Sequence, residues 1–60
     1  LIQDFPNIPL LHNISGACYC AIGEIDSSII SFNTAIELKP DYDEAYFNLG
    51  VAFHQTGQLG

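Results

Sequence analysis

The sequence predicts an all-α fold built from antiparallel helices that are joined by short turns. Three observations support this prediction. Apolar residues recur at spacings of three and four along three successive stretches, as they do on one face of a helix. Glycine or proline ends each stretch, and the same order of glycines and prolines returns after 34 residues. Because the connections are short, consecutive helices are expected to be antiparallel neighbours.

The first helix is predicted from about Ile8 to Ile22. Pro9 suits its first turn, where the missing N–H removes no intrahelical hydrogen bond. Gly23 suits its end, in the left-handed conformation. Four positions at helical spacing form its predicted apolar stripe: Leu11, Ile14, Cys18 and Ala21. We expect this stripe to face the neighbouring helices.

The second helix is predicted from Ile25 to Leu38. Asp26 suits its first turn, where free amides and the helix dipole favour oxygen acceptors, and Lys39 suits the opposite end. Pro40 stops the helix, because its ring disfavours helical geometry at the preceding residue. The apolar stripe of this helix comprises Ile25, Ile29, Phe32 and Ile36.

The third helix is predicted from Asp43 to Thr56. Asp41 and Glu44 have the spacing of a capping box, in which two side chains bond backbone N–H groups at the helix start. Gly57 suits the end of the helix. Gly50 lies in its middle, where glycine costs about 1 kcal/mol relative to alanine. We therefore expect another helix to lie against Gly50 at close range.

A repeat of 34 residues underlies this pattern. Glycine and proline carry most weight in detecting it, because each favours a particular backbone geometry. The shift superposes three such pairs: Pro6 with Pro40, Gly16 with Gly50, and Gly23 with Gly57. The same helix–turn–helix unit is thus predicted to occur more than once.

The repeat resembles the tetratricopeptide repeat, whose signature runs W-x₂-L-G-x₂-Y, then A-x₃-F, then P. The third helix matches the first part of the signature through Tyr46, Leu49, Gly50 and Phe53. The earlier copy keeps Gly16, Tyr19, Phe32 and Pro40, whereas Ser28 replaces the alanine.

The resemblance covers the whole chain and implies three segments. Residues 1–8 would be the tail of a preceding repeat, residues 9–42 a complete repeat, and residues 43–60 a partial repeat with its first helix and turn. In this scheme Leu1 to Phe5 would end an earlier helix, and a further helix would begin near Leu59. Stacked repeats form an α–α superhelix, or solenoid, with a concave surface that the first helices line.

The resemblance also implies a function, that of a protein–protein interaction scaffold. Its members bind a peptide or a helix of a partner protein in the concave groove. Asn48 would suit a peptide backbone, since its amide is both donor and acceptor. Eight positions are candidates for contact with the partner: Asn13, Ala17, Cys20, Phe47, Asn48, Val51, His54 and Gln55.

Two alternatives stay open. The repeats could be a segment of a larger enzyme, glycosyltransferase-like or sulfotransferase-like, that serves substrate docking or oligomerisation. The chain could also self-associate through repeat ends that carry no capping helix, where the apolar face of Tyr46, Leu49 and Phe53 would be partly bare.

The charge distribution narrows the class of partner. The net charge is −6, and Lys39 is the only lysine or arginine. Nucleic acids and anionic membranes are bound by clustered basic side chains, which this sequence lacks. The apolar runs are also too short to span a bilayer. We therefore expect a protein or peptide partner, with no nucleic acid and no membrane.

Neither a metal site nor a catalytic site is predicted. Cys18 and Cys20 are two residues apart, a spacing that points them to roughly opposite sides of a helix. No zinc-type pattern of Cys and His is present. No phosphate loop, activated nucleophile or paired carboxylate site is apparent. We expect no cofactor, no enzymatic activity, and a reducing, cytoplasmic location.

Overall fold

The computed structural model describes residues 7–57, and this part of the chain forms three α-helices and no strands. The helices are α1 (Pro9–Ala21), α2 (Ile25–Leu38) and α3 (Asp43–Thr56). The all-α prediction is confirmed, and the bounds of α2 and α3 are those predicted. α1 is one residue shorter at each end, because Ile8 and Ile22 are its capping residues.

The turn between α1 and α2 depends on Gly23. Its φ is +87°, in the left-handed region that side chains disfavour. The N–H of Gly23 then donates to the Cys20 carbonyl at 3.1 Å, and the N–H of Glu24 donates to the Tyr19 carbonyl at 2.8 Å. Gly57, with φ +77°, ends α3 in the same conformation. The predicted role of both glycines as helix ends is confirmed.

The predicted capping box at the start of α3 is wrong. The N-cap residue is Tyr42, and no side chain caps the helix, so neither Asp41 nor Glu44 holds its first turn. Asp41 instead accepts a hydrogen bond from Lys39 Nζ at 3.1 Å. The carboxylate bonds Lys39 because an ion pair adds charge attraction to the hydrogen bond. The backbone closes the same turn, where the Tyr42 N–H donates to the Lys39 carbonyl at 3.0 Å.

α2 lies between α1 and α3 and packs against both. Its buried side chains are Ser28, Phe32 and Ala35, and the other members of its predicted stripe are half-buried, which confirms that stripe as the packing face. Ser28 stands where the tetratricopeptide signature has alanine. Its hydroxyl donates to the Ile25 carbonyl at 2.6 Å, so the buried oxygen has a partner.

Gly16 allows α1 and α2 to approach each other closely. It is buried, and a Cβ added there would lie 2.6 Å from Cδ1 and 2.8 Å from Cζ of Phe32. These distances are too short for two carbon atoms, so only glycine fits while the Phe32 ring keeps its position. Packing of the ring over the backbone of α1 offsets the cost of a glycine inside a helix.

The predicted apolar stripe of α1 is not its packing face, because all four of its members are exposed. Leu11 and Ile14 are 43% and 48% exposed, for example. The buried residues of α1 are Asn13 and Gly16. They face α2 and α3, and no other described helix lies on the side of the stripe.

The corresponding face is packed in α3. Ala45 and Ala52 lie 34 residues after Leu11 and Cys18, and both are fully buried. α3 packs mainly on α2, which covers these two alanines. The stripe of α1 therefore corresponds to the face that α3 packs against α2. It is exposed because no described helix lies against α1 on that side.

Gly50 has no close neighbour in the described part of the chain. It is exposed, and no neighbouring atom lies within 4 Å of a Cβ built there. The helix predicted near Leu59 lies outside the described residues, as does the predicted helix end at Leu1 to Phe5, so the predicted contact at Gly50 stays a prediction. Tyr46 and Phe53, on the same side of α3, are 51% and 37% exposed.

Candidate partner-binding groove

The candidate groove lies between α1 and α3, which the sequence predicts to be the first helices of two successive repeats. The buried Ala45 and Ala52 fix the side of α3 that faces α2. Asn48 faces α1, and the residues rotated further round the helix are exposed. Residues at spacings of three, four and seven form what we call the groove face: Glu44, Phe47, Val51 and Gln55 on α3, with Leu10 and Ala17 on α1.

A side-chain hydrogen bond joins α1 to α3 beside this face. Asn48 Nδ2 donates to Asn13 Oδ1 at 3.0 Å. Asn13 is only 4% exposed, whereas Asn48 is half-buried. In the described part of the chain, no buried side-chain nitrogen or oxygen lacks a hydrogen-bond partner. The pair therefore fixes the spacing of the two helices while leaving part of the Asn48 amide accessible.

The other candidate residues lie around this pair. Phe47 is 71% exposed and Val51 is 39% exposed, and Ala17 is exposed opposite them on α1. These side chains are apolar and open to a ligand without any rearrangement of the described helices. A large exposed aromatic side chain is the kind of group that anchors a partner at an interface.

Towards the other end of the helices the candidates are more polar and more dispersed. His54 and Gln55 are exposed, and Cys20 is half-buried. Cys18 and Cys20 are both free thiols. Among residues 7–57, no group of three His, Cys, Asp or Glu side chains is arranged to hold a metal ion.

The structure adds two residues that the sequence analysis did not place in the groove. Leu10 is 53% exposed and precedes Ala17 by seven positions. Glu44 is exposed and precedes Phe47 by three and Val51 by seven. The interpretation of Glu44 as part of a capping box concealed its position on the groove face. Its spacing from Phe47 and Val51 was the signal that could have revealed it.

The charge of the groove is acidic at the start of α3 and neutral elsewhere. α1 and α3 contain no lysine or arginine, so neither of these side chains is present to hold the C-terminal carboxylate of a partner. Lys39, the one basic side chain outside these helices, is already paired with Asp41. The carboxylates of Asp43 and Glu44 have no hydrogen bond or ion pair within the described residues.

Comparison with known proteins defines the family. The family model for the TPR (tetratricopeptide) repeat matches residues 16–57. The chain therefore belongs to the tetratricopeptide repeat family, whose repeats are typically non-catalytic modules of protein–protein interaction. The family resemblance inferred from Gly16, Gly50 and their flanking residues is thereby confirmed.

A curated relative supports the same assignment. The chain is 33% identical over 54 residues to Protein FlbA of Caulobacter vibrioides. The alignment covers 90% of this chain but only 9% of that protein, so the chain spans less than a tenth of this relative. No solved structure matches the chain with statistical significance. None of the helices in the described part is long and apolar enough to cross a membrane.

Proposed function

We propose that the groove between α1 and α3 binds an extended peptide or a helix of a partner protein. The observation that supports this most strongly is the exposure of Phe47, at 71%, next to the half-buried amide of Asn48. Covering a phenylalanine side chain contributes about 1.5–3 kcal/mol. An exposed ring of this kind therefore supplies affinity wherever a partner side chain packs against it.

Asn48 would supply specificity for a peptide backbone. One of its N–H groups is used by Asn13, and its carbonyl oxygen accepts no hydrogen bond from the described residues. That oxygen can accept from a peptide N–H. Because Asn13 holds the amide in place, less side-chain entropy is lost when the partner binds.

The remaining candidates extend this contact. Ala17 and Val51 would bracket the partner from the two helices, and the small side chain of Ala17 leaves room for the chain to approach. Cys20, His54 and Gln55 would line the far end of the groove, where His54 and Gln55 offer exposed polar groups. We further propose that residues 9–42 form the complete repeat, flanked by the repeat segments 1–8 and 43–60.

Two alanine substitutions, one in the groove and one outside it, test this proposal. Random dodecapeptides displayed on phage are selected against the chain, and the Kd of an enriched peptide is measured by fluorescence anisotropy. Phe47→Ala should weaken binding about tenfold or more, as expected for a central aromatic anchor. Ile30→Ala is the control, because Ile30 is similarly exposed, at 67%, and lies on the outer side of α2. Equal loss in both variants, or failure to enrich any peptide, would contradict the proposal.

Self-association is a second candidate because the face around Gly50 is open. Tyr46 and Phe53 border it. A second copy could cover this face in the way that α2 covers Gly16. In that copy, however, Phe32 of α2 is already buried against its own helices. The two copies would therefore have to exchange helices. Sedimentation velocity over a wide concentration range tests this candidate. A monomer at every concentration would rule it out.

The length of the matched relative keeps a third proposal open, that the repeats serve docking or oligomerisation within a larger enzyme. A catalytic domain in the complete coding sequence would support this proposal, and its absence would reject it. A cytoplasmic location is likewise proposed. It is supported by the free thiols of Cys18 and Cys20, which persist in a reducing compartment.

A further inference from the structure

We infer that the partner segment carries a lysine or arginine within one or two residues of an apolar side chain. The apolar side chain would pack on Phe47 and Val51, and the basic group would meet the carboxylates of Asp43 and Glu44. This inference rests on the proposed function and adds the chemical class of the ligand to it.

The geometry of the first turns of α3 supports the inference. Asp43 and Glu44 precede Phe47 by four and three positions, so they lie one helical turn before it on the same side. Side chains of a helix lean towards its N-terminus, which brings the Phe47 ring towards this turn. An exposed aromatic ring therefore lies beside two exposed carboxylates.

The charge of the chain makes these carboxylates available. Lys39, the only lysine or arginine, is occupied by Asp41 at 3.1 Å, and neither Asp43 nor Glu44 has a partner among residues 7–57. With a net charge of −6 the chain repels an acidic segment. A neutral segment gains only the apolar contact, whereas a basic one gains both contacts.

The acids at the start of α3 also favour the helix dipole, and that role needs no ligand. α2 provides the comparison that separates the two roles. Asp26 stands at the start of α2, and Asp26, Ile30 and Glu37 lie together on its outer side. That surface offers acids beside an exposed apolar residue but lacks the α1 wall and the Asn48 amide.

Three labelled peptides of equal length provide the test, with leucine alternating with lysine, glutamine or glutamate. Fluorescence anisotropy should show the lysine peptide binding the chain about three- to tenfold more tightly than the glutamine peptide, as expected for two exposed ion pairs. Asp43→Asn/Glu44→Gln should abolish this preference. Asp26→Asn/Glu37→Gln, which removes the same charge from α2, should retain it. The single variant Glu44→Gln, which leaves Asp43 at the helix start, should lose part of the preference.

Two outcomes would overturn the inference. One is equal binding of the lysine and glutamine peptides, and the other is equal loss of preference in both double variants, which would indicate net charge alone. The variant Phe47→Ala distinguishes rejection of the basic partner from rejection of the proposed groove. If Phe47→Ala weakens the glutamine peptide while charge has no effect, the groove stands and the basic partner is rejected. If Phe47→Ala changes the binding of no peptide, both proposals are rejected.

Discussion

Asn48 on α3 donates a 3.0 Å hydrogen bond to the buried side chain of Asn13 on α1. The two residues are 35 positions apart, one more than the repeat. They are therefore not equivalent positions in the predicted 34-residue register, and the bond joins the first helices of the two predicted repeats. Ile14, the true counterpart of Asn48, is 48% exposed. The hydrogen bond therefore joins α1 to α3 directly, beside the candidate groove.

The first prediction concerns this hydrogen bond. Asn48→Ala should lower the free energy of unfolding by about 1 kcal/mol, because the buried Asn13 oxygen loses its donor. Urea denaturation measures the change. Asn33→Ala is the matched control, since Asn33 is exposed on α2 and its side chain makes no hydrogen bond to residues 7–57, and it should change stability by less than about 0.5 kcal/mol. Equal effects of the two variants would show that the bond contributes nothing.

The second prediction contrasts two glycines at equivalent positions. Gly16→Ala should destabilise the chain by about 1–3 kcal/mol, because the new methyl group would overlap the Phe32 ring. Gly50→Ala should stabilise it by about 0.5–1 kcal/mol, because alanine favours the helix and no atom of residues 7–57 lies within 4 Å of a Cβ built there. Thermal unfolding of both variants measures the signs. An increase in stability for Gly16→Ala would contradict the packing described for Gly16, and a decrease for Gly50→Ala would indicate that another helix lies against Gly50.

The third prediction concerns the pH dependence of the turn between α2 and α3. The hydrogen bond from Lys39, a second one from the backbone N–H of Asp41 to its own carboxylate, and the charge of Lys39 lower the pKa of Asp41 below its ordinary value of 3.8. A carboxylate with a lowered folded-state pKa stabilises the fold above the unfolded pKa. That contribution is lost as the pH falls through the folded-state value. It is small here, because both side chains are exposed to solvent.

An NMR titration of the Asp41 carboxyl carbon provides the measurement. Lys39→Gln should raise the pKa of Asp41, and high salt should do the same in the unmodified chain. A midpoint that Lys39→Gln leaves unchanged would show that the ion pair does not form in solution.

The helices could be predicted from the sequence because their signals are local. The bounds of α2 and α3 follow from apolar spacing and from residues that stop a helix, such as Pro40 and Gly57. Gly23 could be recognised for the same reason, since a turn that needs a positive φ favours glycine. The family could be recognised because these local signals recur at a fixed distance.

The errors arose where a residue has two competing partners or where packing depends on another helix. Asp41 has the spacing of a cap, but the N-cap is Tyr42 and the Asp41 carboxylate bonds the charged Lys39 instead. Leu11 has the spacing of a core residue, but no described helix covers it. The contact between Asn13 and Asn48 depends on how far α1 and α3 rotate relative to each other, which periodicity along one helix does not determine.

The central claim is that the partner binds between α1 and α3. Amide chemical shifts of the labelled chain, recorded while the leucine–lysine peptide is added, test it most directly. We expect the largest changes at Ala17, Asn48 and Val51, with Ile30 and Asn33 on the outer side of α2 unchanged. Changes centred on Ile30 and Asn33, with none at Ala17 and Val51, would contradict it.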